Sequence, residues 1–282
     1  MRVVVTGGSG KGGRWVVRDL REHGHDVLNA DLVSDGSDHG LWVVADLTDL
    51  GQCQDILSGA DAVVHFAAIP APLLRPEGET FRINALSTYN VFKAAVAAPV
   101  KRVVWASSET VLGLPFDRPP DFVPIDESIT PRPETSYALS KLVGETLATQ
   151  LARQTGVPIV GLRISNIMEP GDYQRFPGFQ ADPLERKWNL WGYVDARDVA
   201  AAVRQALEAD TTGAEVCIVA AADTVMERDS ADLMAEVFPE VPLRREVRGR
   251  ETLLAIDKAR DLLGYRPAYA WQDELATASR AR

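Results

Sequence analysis

The stretch TGGSGKGG, residues 6–13, decides the fold of this chain. It follows the short apolar run Arg2–Val5 and opens a helical pattern, so it is predicted to be a strand-to-helix turn. Gly7, Gly10 and Gly13 are spaced three apart. This spacing allows a tight turn, a close approach of the backbone to a pyrophosphate, and close packing of the helix on the strand. Because the free amides of a helix N-terminus favour an anion, the stretch predicts a dinucleotide-binding loop.

An acidic residue follows the next strand pattern. Asp31 comes directly after the run Asp26–Ala30, at roughly the 20-residue spacing expected in this motif. A carboxylate at that place accepts hydrogen bonds from the adenosine ribose hydroxyls and repels a 2′-phosphate, so it favours NAD over NADP. A solvated loop aspartate is the alternative. Lys11 and Arg14 keep NADP open, because a basic group near the loop can serve a phosphate, and we count Lys11 among the cofactor-binding residues.

The rest of the chain continues an alternation of short β-branched runs and longer helical patterns. Further strands are predicted at Leu41–Val44, Ala62–Phe66, Lys101–Ala106, Val157–Leu162 and Glu215–Ala220, and helices at Gly12–Glu22, Glu79–Ala98, Ser136–Arg153, Asp195–Ala209, Ser230–Phe238 and Ile256–Leu263. Such alternation predicts βαβ units and a parallel sheet that is covered on both faces. We therefore expect an α/β fold, a Rossmann-type doubly wound parallel sheet with a small C-terminal substrate-binding lobe.

The pattern changes from about Arg163. Glu169–Trp191 is rich in proline, glycine and aromatic residues and has little periodicity, which predicts a long ordered loop. We expect residues 1–165 to form the NAD-binding domain, with residues 193–220 returning to it. Residues 166–192 and 221–282 are expected to form the substrate-binding lobe.

Composition excludes several classes of protein. The chain has 282 residues, 46% of them hydrophobic, and a formal net charge of −10, so nucleic acid is not an expected partner. Cys53 and Cys217 lack metal-ligand spacing, and we expect no bound metal. No apolar stretch approaches the ~18–20 residues of a membrane span. The N-terminus has no signal-peptide pattern, so we expect a cytoplasmic protein that is not associated with a membrane.

Tyr137 and Lys141 carry the chemistry that the second half of the chain suggests. They stand four residues apart in a helical pattern, hence on one face of a helix. An ammonium near a phenol lowers the phenol pKa from its usual value near ~10 and gives a general acid/base. Ser107-Ser108, after the predicted strand Lys101–Ala106, adds a hydroxyl that can hold a substrate oxygen. Each pattern alone also occurs by chance, on a helix surface or in a strand-end turn.

Together these residues resemble the extended short-chain dehydrogenases/reductases, also called the NAD-dependent epimerase/dehydratase family. The matching motifs run in order along nearly the whole chain: TGxxGxxG at Gly7, Gly10 and Gly13; the acidic–apolar pair Asp46-Leu47; HxAA at His65-Phe66-Ala67-Ala68; NxxxT at Asn84 and Thr88; SSxxVxG from Ser107 to Gly113; YxxxK at Tyr137 and Lys141; RxxNxxxP at Arg163, Asn166 and Pro170; and KAxxxLGxxP from Lys258 to Pro267.

The resemblance implies a role for each residue. Ser108, Tyr137 and Lys141 would be catalytic: Tyr137 exchanges a proton with the substrate, Lys141 binds the nicotinamide ribose and depresses the Tyr137 pKa, and Ser108 holds the reacting oxygen. The cofactor, which carries the hydride, would contact Gly7, Gly10, Lys11, Gly13, Asp31, Asp46, Leu47, Ala67, Ala68, Tyr137 and Lys141. The substrate would contact Asn84, Ser108, Glu109, Asn166 and Arg175.

Two departures from the family pattern bear on the substrate. The segment from Arg163 to Tyr193 is shorter than in nucleotide-sugar epimerases, so a small substrate is expected. Glu169-Pro170, followed by Tyr173 and Arg175, is similar to the uronate dehydrogenases of the family, in which such an arginine binds a carboxylate. Arg175 as a surface arginine is the alternative. Glu109 opposes the uronate interpretation, because uronate dehydrogenases carry Asn there and a Glu would repel a carboxylate.

Three functions follow from these patterns. The first is an NAD-dependent dehydrogenase for a small hydroxylated substrate, a sugar or a sugar acid. The second is an epimerase or dehydratase that retains its NAD, and the third is an NAD(P)-sensing protein without catalysis, which the residues Ser108, Tyr137 and Lys141 argue against. The resemblance also implies a homodimer that pairs through the helices Glu79–Ala98 and Ser136–Arg153.

Overall fold

Parallel strands form the centre of the protein. The structure is a computed structural model that describes residues 1–34, 36 and 40–280, apart from the side chains of residues 278–280. The strands are β1 (Arg2–Thr6), β2 (Asp26–Asp31), β3 (Trp42–Val44), β4 (Ala62–His65), β5 (Arg102–Ser108), β6 (Ile159–Ile164), β7 (Ile167–Met168), β8 (Val194–Asp195) and β9 (Ala214–Val219). Seven of them form one sheet in the order β3-β2-β1-β4-β5-β6-β9, and β7 pairs with β8.

Helices cover both faces of this sheet. They are α1 (Gly13–Glu22), α2 (Leu50–Leu57), α3 (Glu77–Ala97), α4 (Ser136–Thr155), α5 (Phe176–Phe179), α6 (Ala196–Glu208), α7 (Ser230–Val237), α8 (Asp257–Leu263) and α9 (Trp271–Arg280). The apolar side of α1 packs with α6 over one face, and α2, α3 and α4 pack over the other. The predicted α/β class, a Rossmann-type doubly wound sheet, is confirmed.

The strand sequences explain why the sheet is buried on both sides. Residues Val3 to Val5 and Ala62 to Val64 are continuous apolar runs with almost no exposure, as expected of parallel strands between helix layers. The strand order reverses between β1 and β4, which pair in parallel. In such sheets ligands bind at the carboxyl ends of the strands at this switch point, so the fold directs attention to the turn after β1.

The third apolar core lies beyond the carboxyl ends of the strands. It joins the excursion after β5 to residues of the 173–193 region and of the C-terminal elements. The predicted long loop Glu169–Trp191 contains the short 3₁₀ helices Pro170–Arg175 and Lys187–Asn189 and the single turn α5. Its aromatic residues are therefore packed, which orders a segment that has little periodicity in sequence.

The differences from the sequence prediction are short or marginal elements. The eight-residue α2 was not predicted, although Asp49 caps it by accepting hydrogen bonds from Gly51 and Gln52. The terminal helix α9 was also not predicted. Among the described residues, no helix combines the length and apolarity needed to cross a membrane. The same part of the chain contains no group of three or more His, Cys, Asp or Glu residues placed to hold a metal ion.

Candidate active site

The glycine-rich loop after β1 is pressed against the end of β4. Gly7 has a φ of +72°, and a Cβ there would lie 2.3 Å from the backbone nitrogen of Ala67. A Cβ on Gly13 would lie 2.0 Å from the carbonyl oxygen of Gly7. The Gly10 N–H donates to that same carbonyl at 3.1 Å. Only glycine fits at Gly7 and Gly13, and the cradle that their missing side chains leave at the N-terminus of α1 fits a pyrophosphate.

Asp31 lies beside this cradle, as the sequence predicted. One oxygen of its carboxylate accepts a hydrogen bond from the Ser9 N–H at 3.0 Å, and the other accepts one from the Leu32 N–H at 2.7 Å. The carboxylate is therefore held between the glycine-rich loop and the end of β2. This placement fits the ribose end of NAD.

The two basic residues of the glycine-rich loop form ion pairs with acidic residues of the 169–172 segment. The Lys11 ammonium lies 2.5 Å from a carboxylate oxygen of Asp172. Arg14 forms an ion pair with Glu169, and its Nε donates to the Glu169 carboxylate at 3.0 Å. Trp15 donates to the same carboxylate at 2.6 Å. Both cations are thus paired with acids of the 169–172 segment, while about two fifths of each side chain stays exposed beside the glycine-rich loop.

The other residues predicted to contact the cofactor lie around the same edge of the sheet. Asp46 is exposed, and hydrogen bonds from the Thr48 hydroxyl and N–H lower the pKa of its carboxyl group. Leu47 is buried, and its carbonyl accepts a hydrogen bond from Asn90. Ala67 and Ala68 are half-buried in the turn after β4, where Ala67 touches the glycine-rich loop.

Asn84, predicted to contact the substrate, is hydrogen-bonded to the loop after β4. Its side chain is buried, and both ends of its amide are used by one neighbour: Oδ1 accepts from the Ile69 N–H at 2.8 Å, and Nδ2 donates to the Ile69 carbonyl at 3.1 Å. Asn84 thus anchors the loop after β4. The same helix contributes Thr88, whose hydroxyl lies 3.2 Å from His65 Nε2.

Ser108, Tyr137 and Lys141 come together at the carboxyl end of β5, and all three are buried. Ser108 is the last residue of β5, and Tyr137 and Lys141 lie on the first two turns of α4. The Ser108 hydroxyl accepts from the Thr110 N–H at 3.2 Å, and it lies close enough to the Tyr137 phenol to lower the pKa of that group. The Lys141 ammonium donates to the Ala106 carbonyl at 2.7 Å and lies 5.7 Å from the centre of the Tyr137 ring.

The electrostatics of this group run against the sequence expectation. Burial raises the pKa of Tyr137 to about 12, and the charge of Glu109 acts in the same direction. Burial also lowers the pKa of Lys141 to about 8. The lowering of the Tyr137 pKa that the sequence predicted is therefore not the net result, because desolvation of the phenolate outweighs the opposing effect of the Ser108 hydroxyl. A phenol held protonated in this way is a proton donor, and it must lose its proton before it can act as a base.

A buried ion pair supports the strand end that carries Ser108, and sequence reasoning did not find it. The Arg163 guanidinium on β6 donates to both carboxylate oxygens of Glu145, at 2.9 and 2.8 Å, and the Ser107 hydroxyl donates to one of them at 2.7 Å. Glu145 belongs to α4, which also carries Tyr137. This pair ties β5, β6 and α4 together beneath the catalytic group.

Glu109, predicted to contact substrate, is only 4% exposed. Ser165 donates a hydrogen bond to one of its carboxylate oxygens at 2.6 Å, and Asn189 donates to the other at 3.3 Å. Burial raises the pKa of Glu109 to about 7, while these hydrogen bonds and the charge of Arg186 oppose the rise. The three neighbours come from the turn after β6 and from the 186–189 segment, and their pairing with Glu109 has no signal in sequence spacing.

The residues that resemble uronate dehydrogenases are placed unequally. Arg175 is exposed at the end of its 3₁₀ helix. Its positive charge is among the causes that lower the pKa of Asp172 and of Arg186. Tyr173 is fully buried, and its hydroxyl donates to Asp195 at 2.5 Å, so it holds the loop in place. Asn166 is half-buried, and its carbonyl accepts the Val194 N–H at 3.1 Å. Arg175 and Asn166 therefore lie within reach of solvent, while Tyr173 does not.

The chain is similar in sequence to known proteins of one family. The family model described as "NAD dependent epimerase/dehydratase family" matches residues 3–220. The L-arabinose 1-dehydrogenase (NAD(P)(+)) of Haloferax volcanii is 33% identical over 172 residues, which cover 58% of this chain and 66% of that protein. A uronate dehydrogenase of Pseudomonas syringae pv. tomato is 31% identical over 173 residues, which cover 60% of this chain and 61% of that protein. The match thus spans less than two thirds of each relative.

A solved structure agrees with the fold. A short-chain dehydrogenase/reductase superfamily protein from Agrobacterium tumefaciens with bound NAD superposes with a TM-score of 0.78 over 100% of this chain and 97% of that chain, at 24% identity. The family match covers well over half of the chain, and the cradle of Gly7 and Gly13 beside Asp31 fits the cofactor. The chain therefore belongs to the NAD-dependent epimerase/dehydratase family, and it is an enzyme whose cofactor is NAD.

Proposed function

We propose that the protein is an NAD-dependent dehydrogenase that oxidises a small hydroxylated substrate, a sugar or a sugar acid. The observation that carries this proposal is the grouping of the buried side chains of Ser108, Tyr137 and Lys141 at the end of β5, with the Lys141 ammonium 5.7 Å from the centre of the Tyr137 ring. The short segment between β6 and β8 supports a small substrate, because it leaves little chain to hold a nucleotide. The naming of the two relatives as sugar dehydrogenases points the same way.

The residues divide the proton transfer among them. Ser108 donates a hydrogen bond to the reacting substrate oxygen, and Tyr137 takes the proton that leaves this oxygen when the alcohol becomes a carbonyl. Bound NAD supplies the acceptor for the hydride that leaves the same carbon. Lys141 would hold the nicotinamide ribose of bound NAD near Tyr137. Because burial raises the pKa of Tyr137 to about 12, oxidation is expected to speed up as the pH rises, and the reverse reduction is expected to slow down.

Steady-state formation of NADH tests this function. The purified protein would be assayed with NAD and a panel of free aldoses and uronic acids. We expect turnover that falls by a factor of about 100 to 10,000 in Tyr137→Phe, the usual contribution of a general acid/base. Tyr89→Phe is the matched control, because Tyr89 is an exposed tyrosine on α3. Absence of NADH with every compound, or equal turnover in wild type and Tyr137→Phe, would contradict the proposal.

The second candidate is an epimerase or dehydratase, and the name of the matched family favours it. In such an enzyme the hydride returns to the same molecule, so NAD stays bound through many turnovers. Readily exchanged NAD together with net NADH formation supports the dehydrogenase. NAD that copurifies tightly, with isomerised sugar and no net NADH, supports the epimerase. A sensing protein without catalysis requires that Tyr137→Phe leaves every measurable property unchanged.

The division of the chain and its assembly belong to the same proposal. We propose that residues 1–165 and 193–220 bind NAD and that residues 166–192 and 221–282 bind substrate. The pairing of β9 with β6 supports the return of the 193–220 segment to the sheet.

We further propose a homodimer that pairs through α3 and α4. Three apolar or aromatic side chains on these helices are exposed, by 37% for Leu86, 41% for Tyr89 and 43% for Leu139, which supports such an interface. The proposed location is the cytoplasm.

A further inference from the structure

Glu109 lies between the end of β5 and the 186–192 segment. It follows Ser108 directly and begins the 3₁₀ helix Glu109–Leu112. Its two carboxylate oxygens accept from Ser165 at 2.6 Å and from Asn189 at 3.3 Å, so it is fixed by donors from two separate segments. Its charge also acts on the Tyr137 phenol. A buried carboxylate therefore lies next to Ser108 in the chain and near enough to Tyr137 for its charge to raise the pKa of the phenol.

Asn189 presents a second acceptor in the same place. It is fully buried, and its Nδ2 donates to Glu109 and to the Gly192 carbonyl, the latter at 2.8 Å. Because both of these neighbours are acceptors, the amide orientation is fixed by the network. The Asn189 Oδ1 is buried and has no hydrogen-bond partner among the described residues. A buried unpaired acceptor is costly, so this oxygen is suited to a donor that arrives with a ligand.

Arg186 presents one donor. Its side chain is 7% exposed and lies against the rings of Phe179 and Trp188, with guanidinium-to-centroid distances of 5.2 and 4.9 Å. One terminal nitrogen donates to the Gly192 carbonyl at 3.1 Å. The Nε is buried and has no acceptor within the described part of the chain. The guanidinium is thus held between two aromatic rings, near enough for its charge to act on Glu109, and one of its buried N–H groups has no acceptor among the described residues.

We infer that Glu109, Asn189 and Arg186 form a specificity site for an uncharged hydroxyl of the substrate, so that the enzyme prefers a neutral sugar to a sugar acid. This inference rests on the proposed dehydrogenase function. A hydroxyl donates one hydrogen bond and accepts others, so it can donate to Asn189 Oδ1 or to Glu109 and accept from Arg186 Nε. A carboxylate only accepts, so it satisfies Arg186 and faces two acceptors at close range.

The alternative occupant is a substrate carboxylate that pairs with Arg186. Binding of a carboxylate there requires a protonated Glu109. Protonation of Glu109 costs free energy when the pH of the assay is above its pKa of about 7. The groups that face Glu109 are Ser165, Asn189, Arg186, Tyr137 and the backbone of Asn166, and the one full positive charge among them is that of Arg186. At pH 8, above the Glu109 pKa of about 7, the pair is electrically balanced, and an added carboxylate brings a surplus negative charge into a buried region.

The test compares a matched pair of substrates, glucose and glucuronate, which differ at one carbon. In the wild type we expect kcat/KM for glucose to exceed that for glucuronate at least tenfold at pH 8. In Glu109→Gln we expect a tenfold or greater fall for glucose and a rise for glucuronate, so the ratio drops by a factor of about 100. Glu127→Gln is the matched control, because the Glu127 carboxylate accepts the Ile218 N–H and is also substantially buried.

Each outcome has one meaning. Activity of the wild type on neither substrate class across an aldose and uronate panel contradicts the proposed function itself. Activity with glucuronate preferred, or a ratio that Glu109→Gln leaves unchanged, overturns the specificity site alone. Glu109→Asp keeps the charge at shorter reach, so it is expected to lose turnover with both substrates but keep the preference for glucose. If Glu109→Gln fails to fold, loss of the glucose preference in Glu109→Asp overturns the inference.

Discussion

Two regions meet at the carboxyl ends of the same strands, and they are held in place by different means. The glycine-rich loop is fixed by its backbone: Gly7 and Gly13 approach Ala67 and each other so closely that no side chain fits. The 165–192 region is fixed by side chains, in the bonds of Glu109 with Ser165 and Asn189. The cofactor side therefore tolerates no added atoms, while the substrate side depends on the protonation and pairing of buried polar groups.

The largest effect is expected from Gly13→Ala. Its Cβ would lie 2.0 Å from the Gly7 carbonyl oxygen, so the loop must shift away from the pyrophosphate position. We expect NAD affinity to fall at least 100-fold, measured as the NAD dissociation constant by calorimetry. Gly78→Ala is the control, because a Cβ there meets nothing within 4 Å. An unchanged NAD affinity in Gly13→Ala would show that the loop is not fixed by its backbone.

The next effect tests side-chain support beneath the site. Glu145→Gln leaves Arg163 buried without its carboxylate, and the two side chains are 9% and 5% exposed. Removing one partner of a buried ion pair typically costs about 3–5 kcal/mol. We expect a loss of that size in the free energy of unfolding from urea titration. A loss in the free energy of unfolding below about 1 kcal/mol, which is typical of exposed ion pairs, would show that the pair of Glu145 and Arg163 does not support the site as a buried pair.

Glu109 makes stability depend on pH. Its folded pKa of about 7 lies above its usual value of 4.5, so the folded state retains the proton more strongly than the unfolded state. The stabilising contribution of the protonated Glu109 to the free energy of unfolding is therefore fully present below pH 4.5 and is lost as the pH rises to about 7. We expect wild type to lose up to about 3 kcal/mol relative to Glu109→Gln between pH 4.5 and 8 in unfolding experiments. Parallel stability curves for the two proteins would contradict this.

The smallest effect is expected at the link between the two regions. Arg14 and Glu169 are 43% and 21% exposed, and surface ion pairs usually contribute about 0.2–1 kcal/mol. A double-mutant cycle with Arg14→Gln and Glu169→Gln should give a coupling energy in this range that shrinks in high salt. A coupling energy above about 2 kcal/mol that salt does not change would mean that this link behaves like the buried pair of Arg163 and Glu145.

The same contrast explains what the sequence could predict. The glycine spacing, Asp31 after β2, and Tyr137 with Lys141 on one helix face are local patterns, and each appears in the structure where the sequence predicted it. The pairing of Glu145 with Arg163 and of Lys11 with Asp172 joins residues far apart in the chain, which no local period reveals. The contact of Asn84 with Ile69 is of the same kind.

The pKa of Tyr137 shows the limit most clearly. Residue spacing placed Lys141 near the phenol, and the structure bears out that proximity. Spacing could not supply the depth of burial, because Tyr137 and Lys141 are enclosed only once the whole chain has folded. Desolvation is a property of this whole environment, so the direction of the pKa shift could be obtained only from the folded protein.

The most direct test of the dehydrogenase proposal follows the hydride itself. The enzyme would be incubated with excess NAD and an aldose deuterated at every carbon, and the nucleotide released into solution would be analysed by mass spectrometry. We expect that NADH carrying one deuterium accumulates over many turnovers with the wild type and is nearly absent with Tyr137→Phe. Deuterium that stays in an isomerised sugar, with no labelled NADH released, would contradict the dehydrogenase and establish the epimerase instead.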